Sequence, residues 1–134
     1  MSYMTKPYLL DFPKVGAPDI GYISVGEVAA AIPFEVKRVF WTYYTPESIV
    51  RGRHAHHQTA QVLVAVTGRI IVMTELRGGD MQTFVLERPD QGVYIPPYCW
   101  HTMQYSHTAV QLALASTSYD AADYIRDYAE FKLL

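Results

Sequence analysis

Short runs of apolar and β-branched residues, cut by glycine- and proline-bearing turns, organise this chain from residue 21 to residue 116. Residues 21–28 read as a first strand, and residues 35–44, dense in valine and aromatics, as a second. Residues 61–66 form a near-continuous apolar run that Thr67 and Gly68 turn into 69–75, a pattern that predicts a hairpin. Arg77, Gly78, Gly79 and Asp80 predict a second hairpin turn, leading into 81–87. Pro89 to Gly92 turns the chain before 93–95, Pro96 and Pro97 end that strand, and 99–105 and 109–116 complete the series. Strands that recur with turn signals about every 8–12 residues predict an all-β sandwich or barrel.

The two ends break this rhythm. Residues 1–20 carry Pro7, Pro13, Gly16 and Pro18, which oppose helix, so this stretch reads as a loop-rich lead-in with a short edge strand at 8–12. At the other end Asp120 is placed to cap a helix over 120–131. Tyr124, Tyr128 and Phe131 recur at i, i+4 and i+7, an apolar stripe that packs on the β-structure or meets a partner subunit.

Bulk properties narrow the classes. A chain of 134 residues suits a single domain spanning 1–134 with one core, and 50% hydrophobic residues argue against disorder. A net charge of −2, with no dense basic patch, argues against nucleic acid as a partner. One cysteine, Cys99, leaves no internal disulfide and fits a reducing compartment. No apolar run approaches the roughly 20 residues needed to cross a bilayer, and the first residues lack a secretion pattern. The expectation is a cytoplasmic protein without membrane contact.

The chemistry concentrates in residues 51–58, which hold three of the five histidines. His54 and His56 are two apart, so an extended strand presents both on one face. Two imidazoles on one face are metal ligands, a pair of acid and base groups, or plain surface residues. His57 points to the opposite face and is set aside.

Gly52, His54 and His56, followed by Gly68, resemble the first motif of the cupin superfamily. Gly92, Pro96 and His101 resemble the second. The resemblance implies a small jelly-roll β-barrel in which His101 faces His54 and His56. Cupin metal sites add a carboxylate four or five residues after the second histidine, where this chain has Ala60 and Gln61. An amide is a poor substitute for an anionic ligand, so neither metal nor cofactor is expected. The two histidines are then free to act as bases, since imidazole titrates near neutral pH.

Further residues make the resemblance more specific. They are Pro33, Phe34 and Val36–Val39 (residues 36–39), Arg51 to His56, 61–64, 92–97 with Trp100, 114–116, and Tyr119, Asp120, Asp123, Tyr124, Arg126 and Tyr128. In these the chain is similar to the dTDP-4-keto-6-deoxyglucose 3,4-ketoisomerases. That resemblance implies a homodimeric, metal-independent enzyme acting on a dTDP-linked keto sugar. It places His54 in proton transfer at carbon and His56 in shuttling or orienting, with a tyrosine from 40–44 such as Tyr43 assisting. Arg51 is a candidate to hold the diphosphate or polarise the keto oxygen, against the alternative of a surface salt bridge. Arg38 is a weaker candidate of the same kind. Gln61 is a candidate sugar contact and His101 a candidate lining of the sugar pocket, each set against a purely structural hydrogen bond. Arg53 and Ile20 depart from the family pattern beside the pocket, which leaves the product epimer open.

Overall fold

The computed structural model describes residues 4–134. Two five-stranded antiparallel sheets face each other. The first runs β1 (Tyr8–Asp11), β9 (Gln91–Ile95), β6 (Gln61–Thr67), β11 (Val110–Ala115), β4 (Arg38–Tyr43). The second runs β12 (Tyr124–Ile125), β5 (Val50–His56), β10 (Cys99–Tyr105), β7 (Ile70–Leu76), β8 (Met81–Leu86). A separate hairpin of β2 (Lys14–Ala17) and β3 (Gly21–Ser24) bonds to neither sheet. The expected all-β jelly roll is therefore present as a two-sheet sandwich; hydrogen bonds do not close it into a continuous barrel.

Strand alternation builds the core. Leu63 and Ala65 of β6, Val93 and Ile95 of β9, and Ala113 of β11 meet Ile70, Val72, Cys99 and Met103 from the other sheet. Val62 and Val64 turn the other way, under Phe12, Ile32, Phe34 and Tyr94. β6 is thus covered on both faces, which explains an apolar run with no polar alternation. The lead-in acts as that outer cover, with β1 paired to β9 as an edge strand near the expected position.

Two expectations need correction. Residues 61–66 and 69–75 do not form a hairpin. β6 pairs with β9 and β11, whereas β7 pairs with β10 and β8 in the opposite sheet. Gly68, at φ 76°, carries the chain from one layer to the other against Ala109, whose Cα would lie 2.6 Å from an added Cβ. Apolar periodicity marks strands and turns but leaves partner choice to the packing of both layers.

The helix expected over 120–131 is likewise broken into three pieces. A 3-10 turn at Ala121–Asp123 is capped by Asp120, β12 follows, and a helix α1 (Tyr128–Lys132) begins after its own cap, Asp127. Stronger bonds win here over helical continuity. Asp123 is buried and its carboxylate accepts from the Gln58 and Thr59 backbone N–H groups and from the Thr59 hydroxyl. Tyr124 and Ile125 then pair with His56 and Ala55, extending the sheet beyond β5. Phe131 is fully buried against Ala55 and Ile125, so this part of the stripe is core. Glu75 ties α1 down: the Tyr128 hydroxyl donates to it at 2.8 Å and the Lys132 ammonium at 2.7 Å. Burial raises the Glu75 carboxyl, but these donors outweigh burial and hold it below its usual range.

Candidate active site

The site grows from β5, which lies between β10 and β12. His54 pairs across to His101, and His56 pairs to Tyr124. The rings converge inside the sandwich, with centroids 5.0 Å apart for His54 and His56, 4.7 Å for His54 and His101, and 5.9 Å for His56 and His101. The expected facing of His101 onto the pair is therefore present. Tyr124 completes the cluster, 5.2 Å from His54 and 4.5 Å from His56.

A bulge sets this arrangement. The β5–β10 register shifts between His101 and Thr102, so that His101 opposes His54 while Thr102 opposes Gly52. Arg53 is the extra residue, held with Gly52 in the left-handed region at φ 58° and 85°. An added Cβ on Gly52 would lie 2.9 Å from the His101 carbonyl oxygen, so glycine is needed for both space and backbone angle. The bulge changes the parity of the strand. Arg51 and His54, three positions apart, both line one cavity, and the Arg53 side chain is left exposed.

That cavity has a volume of about 210 Å³ and is bounded by Phe40, Thr42, Arg51, His54, Gln61, His101, Tyr105, Gln111, Tyr124 and Arg126, among others. Larger depressions of about 380 and 550 Å³ lie elsewhere, and neither touches His54, His56 or His101. The smaller cavity is the functional candidate because His54 and His101 line it and His56 packs against both. Its wall holds Gln111 Oε1, a buried polar atom without a hydrogen-bond partner among the described residues, beside the Tyr105 hydroxyl, which is within reach of the Thr42 and Gln111 side chains. Such atoms are satisfied by water or by a bound polar ligand.

Hydrogen bonds fix the tautomers of two histidines. A carbonyl oxygen only accepts, so the His54 Nδ1–H donates to Gly52 O at 3.0 Å and the His101 Nδ1–H to Cys99 O at 3.0 Å. Each ring then carries its lone pair on Nε2. The Nε2 atoms of His56 and His101 are buried with no partner among the described residues. Burial, and then the charge that His101 and His56 would each set against it, holds the His54 imidazole down to about 2. Burial, with His101, Arg38 and Arg126 behind it, lowers His56 to about 3. His101 is also lowered by burial, against the opposing bond to Cys99. All three rings rest as neutral bases.

The remaining candidates divide. Arg51, Gln61 and His101 line the cavity. Arg38 does not, but its guanidinium lies over the Phe40 and Tyr119 rings and its charge reaches His56. Tyr43 does not line this cavity of its own chain. On β4 the residues Arg38, Phe40 and Thr42 turn inward, whereas Val39, Trp41 and Tyr43 face outward and are about half exposed. Ile20 is 79% exposed at the tip of the β2–β3 hairpin and does not touch the cavity of its own chain. His57 points away, as expected, and its Nδ1 lies 3.1 Å from the Tyr98 hydroxyl.

Tyr124 and Arg126 were missed because a helical reading of 120–131 removed them from the site. Arg126 lies over the Tyr124 ring at 4.3 Å and presents a second cation to the cavity. Their signal was the polar–apolar alternation of Tyr124, Ile125 and Arg126, in which only Ile125 is buried.

The family model described as FdtA, WxcM-like, C-terminal matches residues 5–134. The chain belongs to this FdtA family. A relative, the TDP-4-oxo-6-deoxy-alpha-D-glucose-3,4-oxoisomerase of Aneurinibacillus thermoaerophilus, is 41% identical over 102 residues, covering 75% of this chain and 73% of the relative. The crystal structure of a 3,4-ketoisomerase from Helicobacter canadensis superposes with a TM-score of 0.90 at 33% identity, over 97% of each chain. A mutant of the 3,4-ketoisomerase QdtA from Thermoanaerobacterium thermosaccharolyticum, in complex with TDP-4-keto-6-deoxyglucose, superposes with a TM-score of 0.89 at 29% identity, over 97% of this chain and 94% of that one.

Proposed function

We propose that this chain moves the keto group of TDP-4-keto-6-deoxyglucose from C4 to C3 by proton transfer at the histidine pair. The chain is an isomerase of the FdtA family. The observation that carries the mechanism is a cluster of three imidazoles of which His54 and His101 line the cavity and have their Nε2 lone pairs fixed by backbone hydrogen bonds, with His56 packed behind them. His54 takes the C3 proton while the C4 oxygen gains one, which gives an enediol. Loss of the O3 proton and protonation at C4 then complete a 3-keto product with no net change in atoms or electrons. His54 works at carbon, and His56 shuttles or orients the oxygen protons. Arg51 polarises the keto oxygen or holds the diphosphate, and Gln61 and His101 contact the sugar.

Burial first, and neighbouring groups after it, lower the proton affinity of His54 in the free protein. The substrate corrects this. A diphosphate set against Arg51 and Arg126 places negative charge beside the rings and favours the imidazolium as it forms. Incubation with TDP-4-keto-6-deoxyglucose in D2O, followed by NMR, is expected to give a 3-keto product carrying deuterium at C4. A substrate recovered without exchange or conversion at any concentration would remove this function.

The reading includes a homodimer. β4 ends its sheet with an unpaired edge and an outward row of Val39, Trp41 and Tyr43, and the detached hairpin exposes Val15, Tyr22 and Ile23. These two surfaces suit each other's partner in a second copy. Sedimentation equilibrium is expected to return twice the chain mass, and a monomer at micromolar concentration would count against it. The reading is also of a cytoplasmic enzyme, for which cell fractionation is the measurement. Among the described residues no helix is long and apolar enough to cross a membrane.

A further inference from the structure

We infer that Gln111 sets substrate specificity: its side-chain carbonyl accepts a hydrogen bond from the C2 hydroxyl of the bound sugar, with Arg51 beside it on the diphosphate. The inference rests on the function proposed above and orders that substrate along the cavity.

The cavity has two unlike ends. On β10 the inward positions His101, Met103 and Tyr105 follow one another, and Met103 opposes Arg51. His101 thus marks the imidazole end and Tyr105 the other, with Arg51 between them. In the facing sheet Gln111 pairs with Thr42, and both line the cavity. Burial pushes the Tyr105 hydroxyl up to about 12, against the charge of Arg51 and hydrogen bonds from the Thr42 and Gln111 side chains. Those two bonds favour the ionised phenol, so Thr42 and Gln111 act as donors to its oxygen. With its amide N–H turned to Tyr105, Gln111 has its Oε1 turned away. That atom is buried without a hydrogen-bond partner among the described residues, on a side chain only 1% exposed. Bulk water does not reach it, and a buried acceptor left empty is costly. A turn about the terminal amide torsion, which is soft in glutamine, presents it to a ligand.

The chemistry of the substrate selects the group that fits. An acceptor needs a donor. In a 4-keto-6-deoxyhexose joined through C1 to a diphosphate, the sugar offers two, the C2 and C3 hydroxyls. C6 is a methyl group, and the C4 carbonyl only accepts. The C3 hydroxyl gives up its proton in the reaction, so it cannot hold a neutral acceptor from substrate to product. The C2 hydroxyl keeps its proton throughout. A cavity of about 210 Å³ admits the sugar without the nucleoside, whose donors stay outside. C2 is bonded to C3, where His54 works, and to C1, which carries the diphosphate. A C2 hydroxyl at Gln111 therefore brings the diphosphate to the Arg51 side and assigns Arg51 to it rather than to the keto oxygen. Arg51 is exposed, as an exit for a charged chain requires.

The experiment deletes the hydroxyl before it touches the protein. The full chain is assayed with TDP-4-keto-6-deoxyglucose and with its 2-deoxy analogue. Loss of the hydroxyl is expected to lower kcat/KM by about tenfold or more, because it leaves a buried acceptor empty. Gln111→Met keeps the side-chain length and removes the acceptor. It should lose activity on the 2-hydroxy substrate and hold it on the analogue, bringing the two within about threefold. Gln111→Glu, which keeps an acceptor, should retain the preference, and it carries the comparison if the methionine variant fails to fold. A parent without preference, or a methionine variant that loses both substrates equally, would overturn the role of Gln111. For Arg51 the probe is TDP alone, whose affinity should fall about tenfold or more in Arg51→Gln. Unchanged affinity would overturn the diphosphate assignment. Calorimetry with unreactive TDP-6-deoxyglucose and its 2-deoxy form reads the subsite without turnover. A preference in binding by a chain that never isomerises would leave the subsite standing and remove the proposed function; isomerisation without preference does the reverse.

Discussion

Replacing His54 by asparagine is expected to lower the rate of TDP-4-keto-6-deoxyglucose isomerisation by about 10²–10⁴-fold, the usual cost of removing a general acid–base group. The fold should survive the change. The asparagine amide keeps a donor within reach of Gly52 O, where the His54 Nδ1–H now lies at 3.0 Å. The ring it replaces is part-buried at the edge of the cavity, so no core volume is lost. What disappears is the lone pair on Nε2, the only feature of His54 that takes up a proton. The measurement is a pair of assays on protein whose thermal unfolding matches the parent. One follows the 3-keto product by NMR, and the other follows loss of the C3 proton to D2O. Both should fall together if His54 acts at carbon. If exchange persists while product formation stops, His54 acts on oxygen instead and another base serves the carbon. Activity within tenfold of the parent would remove His54 from the mechanism.

The second large effect is expected at a residue with no side chain. Gly52→Ala should destabilise the chain by about 1–3 kcal/mol, the usual cost of a non-glycine residue forced into a sparsely populated backbone region. It should also depress isomerisation well beyond what lost stability explains. The added methyl would lie 2.9 Å from the His101 carbonyl oxygen, and Gly52 sits at φ 85°. The strand can relieve that contact only by moving away from β10. Such a shift separates His54 from His101 and turns Arg51 out of the cavity, because the bulge is what brings Arg51 and His54 to one face. Misplacement of about 1 Å is enough to cost 10²-fold in rate. Chemical denaturation and kcat measured on the same preparation separate the two effects. A stable, fully active alanine variant would mean that the bulge does not set the site.

Much of this arrangement was legible in the sequence, for identifiable reasons. Strand alternation alone put His54 and His56 together, because no irregularity lies between them. Turn residues at 77–80 marked the β7–β8 hairpin. The bulge was not legible. One inserted residue at Arg53 reverses the parity of β5, and its cause is the close approach of the His101 backbone from a strand nearly 50 positions away. Charge singles out Arg51 in the sequence, but its facing comes from the bulge. Parity also keeps Tyr43 out of this cavity. β4 turns its largest aromatic, Trp41, outward and Thr42 inward, so size misleads as a guide to facing there. The C-terminal segment failed because Tyr124, Tyr128 and Phe131 match a helical period by coincidence. The bonds that decide their fate run to Gln58, Thr59 and His56, in a different part of the chain.

Tyr124 and Arg126 also fix when the pocket comes into being. Every other strand of both sheets is synthesised before β12, and the wall that carries these two residues is held from beyond by Phe131 and by the Glu75 contacts of Tyr128 and Lys132. A growing chain can therefore pair its strands and bury its core while the histidines still face open solvent on one side. Isomerisation is therefore expected to begin only after residues 124–132 have left the ribosome and docked. Birth of the fold and birth of the activity are expected to be separate events in this protein.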